Sequence, residues 1–173
     1  MTRQRLPNSV ERFLAANREE LVSSAETLLS HDTANPPGHT AATVSWIASR
    51  LEAAGVDVER IAVDPEKPNL VATLPGAADR TLCFVGHLDT VPFDETEWSR
   101  DPLGERDGDR LYGRGATDMK RAVTAMAHVA LADVESDAGL ATGPRPARYG
   151  RETPPGFRPP LHRDRPGVPE VWE

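Results

Sequence analysis

The 173-residue sequence holds one cysteine, two lysines and no stretch of apolar residues long enough to cross a membrane. A single Cys83 excludes an intrachain disulfide. Within "TLCFVGH" it reads as a small hydrophobe packed in the core. The N-terminal "MTRQRLPNSVERF" has no apolar run of signal-peptide length, and no window approaches 18 apolar residues. A soluble, cytoplasmic protein is the expectation. Lys67 and Lys120 stand against eighteen arginines, and Asp and Glu total 27 for a formal charge of −7. That sign argues against nucleic acid or an anionic membrane as the main partner. Aromatics are few, at 5%, but Val, Leu, Ile and Ala recur in patterned blocks, so wholesale disorder is not expected.

Residues 9–137 alternate between helical and extended patterns. Val10, Phe13, Leu14, Leu21, Val22, Leu28 and Leu29 fall mostly on one helical face. "SHDTANPPGHT" breaks the pattern, since Pro36-Pro37-Gly38 cannot continue a helix. Val44, Ile47, Ala48 and Leu51 mark a second helix, which Gly55 is placed to end. Three β-rich runs follow, "VDVERIAV", "NLVATL" and "TLCFVGH". The last is nearly continuous in apolar residues, as a strand covered on both faces would be. "GERDGDRLYGRG" reads as a hairpin turning at Asp107-Gly108. "TDMKRAVTAMAHVALADV" is helical, with Thr117 or Asp118 at its start. The pattern predicts an α/β fold, a three-layer sheet with flanking helices.

After residue 137 the composition changes. Residues 138–173 contain eight of the sixteen prolines, six arginines and no lysine, without helical or strand period. The formal charge is −9 over residues 1–137 (14 basic, 23 acidic) and +2 over the remainder (6 basic, 4 acidic). Such a segment buries too little apolar area to offset its ordering entropy, and disorder is expected.

Chemistry concentrates at "VGHLDTVP". His87 directly follows an apolar run, where α/β sheets place ligand groups. Neutral imidazole is a good metal ligand and commonly donates its other N–H to a carboxylate, a part that Asp89 is near enough to play. Asp118 follows "GRGAT" at a helix start, where the helix end stabilises a carboxylate, either as a ligand or as a simple cap. Each motif alone also fits a structural reading. A His-x-Asp is common, and His31 and His39 beside the Pro-Pro-Gly turn read as solvated. His128 and His162 have no ligand-like neighbours, and Trp46 and Trp98 read as packing residues.

The combination is more specific. "VGHLDTVP", followed by "WSRDPLGERDGDRLYGRGATDMK" and preceded by "NPPG", resembles the metallopeptidase and deacylase family of acetylornithine deacetylase, succinyl-diaminopimelate desuccinylase, aminoacylase and glutamate carboxypeptidase over residues 10–135. The resemblance implies the N-terminal half of a di-zinc peptidase catalytic domain. It implies that His87 binds one metal, that Asp89 is the catalytic-site aspartate orienting His87, and that Asp118 bridges two ions, usually zinc, with cobalt as a substitute. Water held between the ions would attack the amide of an N-acyl amino acid or small peptide.

The sequence departs from that pattern in three places. No adjacent Glu pair follows Asp118, and Glu19-Glu20 lies upstream of both motifs. Arg121 stands where relatives generally carry glycine. The Arg, Pro and Gly of residues 138–173 have GC-rich codons and replace an expected apolar strand. From these departures we expect a partial catalytic domain over residues 1–137 and a Pro/Arg-rich tail over 138–173, in a truncated, frameshifted and inactive family member. The alternative expectation is a non-catalytic remnant that binds a metal or a partner weakly.

Overall fold

The helix boundaries follow from a few residues. In the computed structural model, which describes residues 8–75 and 82–136, helix α1 spans Asn8–Ala16 and α2 spans Arg18–Ser30. The sequence reads as one amphipathic helix there, but the chain divides at Asn17. Asn17 has φ −107° and ψ 17°, and its backbone N–H and side-chain amide both donate to the Phe13 carbonyl at 2.9 Å. Helix α3 spans Ala41–Ala53. It ends as its glycine predicts, with Gly55 at φ +85° and bonds from Gly55 N to Glu52 O (2.9 Å) and Val56 N to Leu51 O (3.0 Å).

Strands β1 (Asp57–Ile61) and β2 (Asn69–Thr73) pair antiparallel, with Glu59 opposite Val71, and pack on α3. Strands β3 (Glu105–Asp107) and β4 (Arg110–Tyr112) form the expected hairpin, closed by the Asp107–Arg110 pair around Gly108. Helix α4, Arg121–Ser136, packs against α1, α2 and α3. Leu28, Ile47, Leu51, Val56, Leu131 and Val134 make the core where α2, α3 and α4 meet, with Trp46 and Phe13 against it. Among the described residues no helix is long and apolar enough to cross a membrane.

The chain is thus a mixed helix and strand structure, but the three-layer sheet is not present among the described residues. They hold two separate two-stranded sheets. The apolar run over residues 82–89 is not a paired strand. A strand is stabilised by lateral pairing, and here the pairing is one parallel bridge, Ala34 with Thr90. Leu82, Phe84 and Val85 are exposed, while Leu88 packs against the core. Cys83 is exposed as well, not packed in the core as its neighbours suggested. Residues 138–173, expected to be a tail, lie outside the described residues.

Candidate functional site

Two chain segments meet in an open cleft of about 440 Å³. The first carries His87 and Asp89 and is anchored by the segment that follows α2. Thr33 Oγ1 donates to the Leu88 carbonyl at 2.8 Å, Thr90 N donates to the Thr33 carbonyl at 3.0 Å, and Asn35 N donates to the Thr90 carbonyl at 2.8 Å. Thr33 is 1% exposed, so its own two bonds are shielded from water.

The second segment carries Asp118. The sequence places this residue at a helix start, but α4 begins three residues later. Gly113 and Gly115 take positive φ, and Asp118 (φ −124°, ψ 96°) and Met119 (φ −140°, ψ 28°) are non-helical. The loop closes through Lys120 N donating to the Gly115 carbonyl at 2.9 Å. Asp118 therefore projects from a turn rather than from the first turn of a helix.

Glycines let the two segments touch. A Cβ on Gly115 would lie 2.7 Å from Thr90 Cγ2, and one on Gly86 would lie 2.9 Å from Met119 Cε. Close approach of this kind is open to glycine because it lacks a Cβ.

His87 Nδ1 lies 2.9 Å from the Asp89 backbone carbonyl, and His87 Nε2 lies 3.3 Å from Asp118 Oδ1. A carbonyl only accepts, so Nδ1 carries a proton and donates it. In the neutral ring the Nε2 lone pair then faces a carboxylate oxygen. That juxtaposition is favourable when a proton or a cation lies between them. The hydrogen bond to the Asp89 carbonyl is the largest influence on His87; it outweighs burial, the next largest, and with the hydrogen bond and charge of Asp118 holds the pKa above its ordinary value.

The expected role of the Asp89 side chain is modified by this geometry. Its carboxylate oxygen is 3.4 Å from His87 Nδ1, farther than its own backbone carbonyl. Asn35 Nδ2 instead donates to Asp89 Oδ2 at 3.0 Å. Asn35 belongs to the "NPPG" stretch, so that motif contributes a side chain to the cleft as well as a turn.

His31 was expected to be solvated, but it is half-buried. Its Nδ1 lies 3.0 Å from Thr43 Oγ1. Burial, reinforced by the Lys120 charge, lowers its pKa. His39 is exposed, while His128 is buried in α4 with Nδ1 at 3.0 Å from the Thr124 carbonyl. Arg121 is exposed at the first residue of α4 and does not line the cleft. Arg114 does line it, with its guanidinium 5.1 Å over the Trp98 ring.

A metal ion suits this donor set as far as the set extends. Imidazole and carboxylate are zinc donors at about 2.0–2.2 Å, and two donors on one tetrahedral ion stand about 3.3 Å apart, the separation of His87 Nε2 and Asp118 Oδ1. No group of three or more His, Cys, Asp or Glu side chains that could hold an ion occurs among the described residues. His87 and Asp118 supply two such donors, fewer than the three or four protein ligands usual for zinc.

Known proteins resemble this chain in sequence and in fold. Residues 83–140 match the model of Peptidase family M20/M25/M40. The chain is 39% identical over 119 residues to N-formyl-4-amino-5-aminomethyl-2-methylpyrimidine deformylase of Bacillus subtilis, covering 65% of this chain and 28% of that protein. It is 43% identical over 99 residues to succinyl-diaminopimelate desuccinylase of Xanthobacter autotrophicus, covering 54% and 26%. With acetylornithine deacetylase of Vibrio campbellii it shares 41% over 104 residues, covering 59% and 26%. The chain thus spans little more than a quarter of the length of these relatives. The crystal structure of human carnosine dipeptidase 1 superposes with a TM-score of 0.64 at 23% identity, over 77% of this chain and 32% of that one. That likeness is one of fold.

Proposed function

The chain belongs to the M20/M25/M40 peptidase family, and from that premise we propose that residues 1–137 carry the first part of a metal-dependent amide-hydrolase site. In this reading His87 Nε2 and Asp118 hold a divalent ion, zinc or cobalt. The convergence of an imidazole nitrogen and a carboxylate oxygen at 3.3 Å, with the other imidazole nitrogen turned to a carbonyl, carries the reading. A bound divalent ion supplies Lewis-acid polarisation of an amide carbonyl and lowers the pKa of water.

The chain's own residues do the positioning. The Asp89 carbonyl fixes the His87 ring with Nε2 turned toward Asp118. Asn35 holds the Asp89 carboxylate so that it adds negative charge on the Nδ1 side. The cleft between Asn35 and Arg114 takes the substrate. The relatives are named for removing formyl, succinyl and acetyl groups, which supports N-acyl amino acids or small peptides as the substrate class.

We also infer that this 173-residue chain alone is catalytically incompetent. No carboxylate is positioned as a base on water among the lining residues other than Asp89 and Asp118, which the site already uses. No Glu-Glu pair follows Asp118. Loss of a general base commonly costs about 10²–10⁴ in rate. The test is hydrolysis of N-acetyl amino acids by the full chain with added zinc or cobalt. We expect no turnover above the His87→Ala variant. Metal-dependent turnover that His87→Ala abolishes would overturn the incompetence, while leaving the site assignment standing.

A further inference from the structure

We propose that Lys120 is a positioning residue, a buried clamp that holds Asp118 in register with His87. Lys120 is 2% exposed, and its Nζ donates to the His31 backbone carbonyl at 2.7 Å, across 89 positions of sequence. Burying an ammonium is costly unless it is well partnered. The partner here is the start of the segment that also anchors His87 and Asp89, through Thr33 Oγ1 to the Leu88 carbonyl and the Thr90–Thr33 and Asn35–Thr90 backbone bonds. Residues 31–35 therefore connect two halves of the site. On one side they hold residues 87–90, and on the other they hold a side chain two residues after Asp118.

The Lys120 stem fills the space between those halves. Its Cδ lies 3.3 Å from the position a Cβ would take on Gly115, and Thr90 Cγ2 lies 2.7 Å from the same point. Its backbone is fixed at both ends of the turn, by Lys120 N to the Gly115 carbonyl at 2.9 Å and by Thr124 Oγ1 to the Lys120 carbonyl at 2.8 Å. The non-helical backbone of Asp118 and Met119 is thus pinned by glycine on one side and Lys120 on the other. Removing the amine frees this turn from residues 31–35, and the distance between Nε2 and the Asp118 carboxylate is no longer imposed.

The inference rests on the proposed His87–Asp118 metal site, and cobalt titration of the full chain, read by its visible absorption, separates the two. Lys120→Met keeps the stem and removes the donor. We expect its cobalt affinity to fall about tenfold or more, as is typical when groups behind metal ligands are lost, with an altered absorption spectrum. Ile47→Val, a destabilising core change far from the cleft, is expected to leave affinity and spectrum at wild-type values. Should Lys120→Met not fold, Thr33→Val breaks the same connection from its other end and is expected to weaken cobalt binding similarly. Wild-type affinity and spectrum in folded Lys120→Met, or in Thr33→Val where Lys120→Met does not fold, would overturn the clamp alone. A wild-type chain that takes no cobalt would overturn the metal site and the clamp with it.

Discussion

His87 Nε2 and Asp118 Oδ1 stand 3.3 Å apart although 31 positions separate them in sequence. Neither residue is in a helix or a strand of the described fold apart from the irregular turn that holds Asp118. Their meeting depends on backbone bonds from residues 31–35 and on two glycines.

The first consequence is a titration. The Asp89 carbonyl and then Asp118 hold His87 above its ordinary pKa. Asp118→Asn is expected to lower the His87 pKa measured by NMR, without returning it fully to the ordinary value, because the carbonyl is the larger cause. An unchanged His87 pKa in Asp118→Asn would contradict the juxtaposition.

Metal affinity should follow the same group with a definite sign. A raised His87 pKa means that protons compete with the ion over a higher pH range than for an ordinary histidine. Zinc or cobalt affinity is expected to weaken as pH falls through the folded-state pKa of His87. The stabilisation that the charged ring itself gains is present below about pH 6.5, the unfolded value, and is lost as pH rises through the folded one. Calorimetric metal titration over this range checks the sign, and affinity that rises on acidification would contradict it.

Gly115 admits no side chain where it lies. Its φ is +85°, and an added Cβ would lie 2.7 Å from Thr90 Cγ2. Left-handed backbone costs a non-glycine residue about 1–2 kcal/mol before any clash. Gly115→Ala is therefore expected to lose at least that much stability in urea unfolding, and to weaken cobalt binding. Gly108→Ala supplies the comparison, because Gly108 also has positive φ (+60°) but meets nothing within 4 Å. It should lose stability and keep its cobalt affinity.

Lys120 should leave a trace in alkaline stability. Burial lowers its pKa to about 8, with Asp32 opposing the shift. The unfolded chain then binds more protons than the folded chain between about pH 8 and the ordinary lysine value near 10.4. Stability contributed at this site therefore rises as pH climbs through that window. Compared with Lys120→Met, the wild-type chain is expected to gain melting temperature between pH 8 and 10. A constant difference between the two would contradict the burial of a charged amine.

The local grammar of the sequence is legible where structure is decided within a few residues. Gly55 ends α3, and the Asp-Gly pair marks the β3–β4 hairpin, because helix caps and tight turns are set by neighbouring backbone. The metal-type motif at His87 and the "NPPG" turn are conspicuous in sequence because each carries residues of unusual chemistry, and both contribute residues to one cleft. The failures are long-range. The run at residues 82–87 has the composition of a doubly covered strand, yet whether it pairs depends on partners that composition does not name. His31 reads as a loop histidine, but its packing comes from Thr43 and Lys120, 12 and 89 residues onward. Lys120 lay in a motif and its role did not, because a side chain's acceptor on a distant backbone carbonyl leaves no pattern in sequence.

Cobalt absorption of the full chain tests the central assignment most directly. We expect one cobalt ion per chain in a site whose affinity falls at least about tenfold in both His87→Ala and Asp118→Asn, each still folded by circular dichroism. Cobalt bound with wild-type affinity by either folded variant would show that His87 and Asp118 do not share an ion.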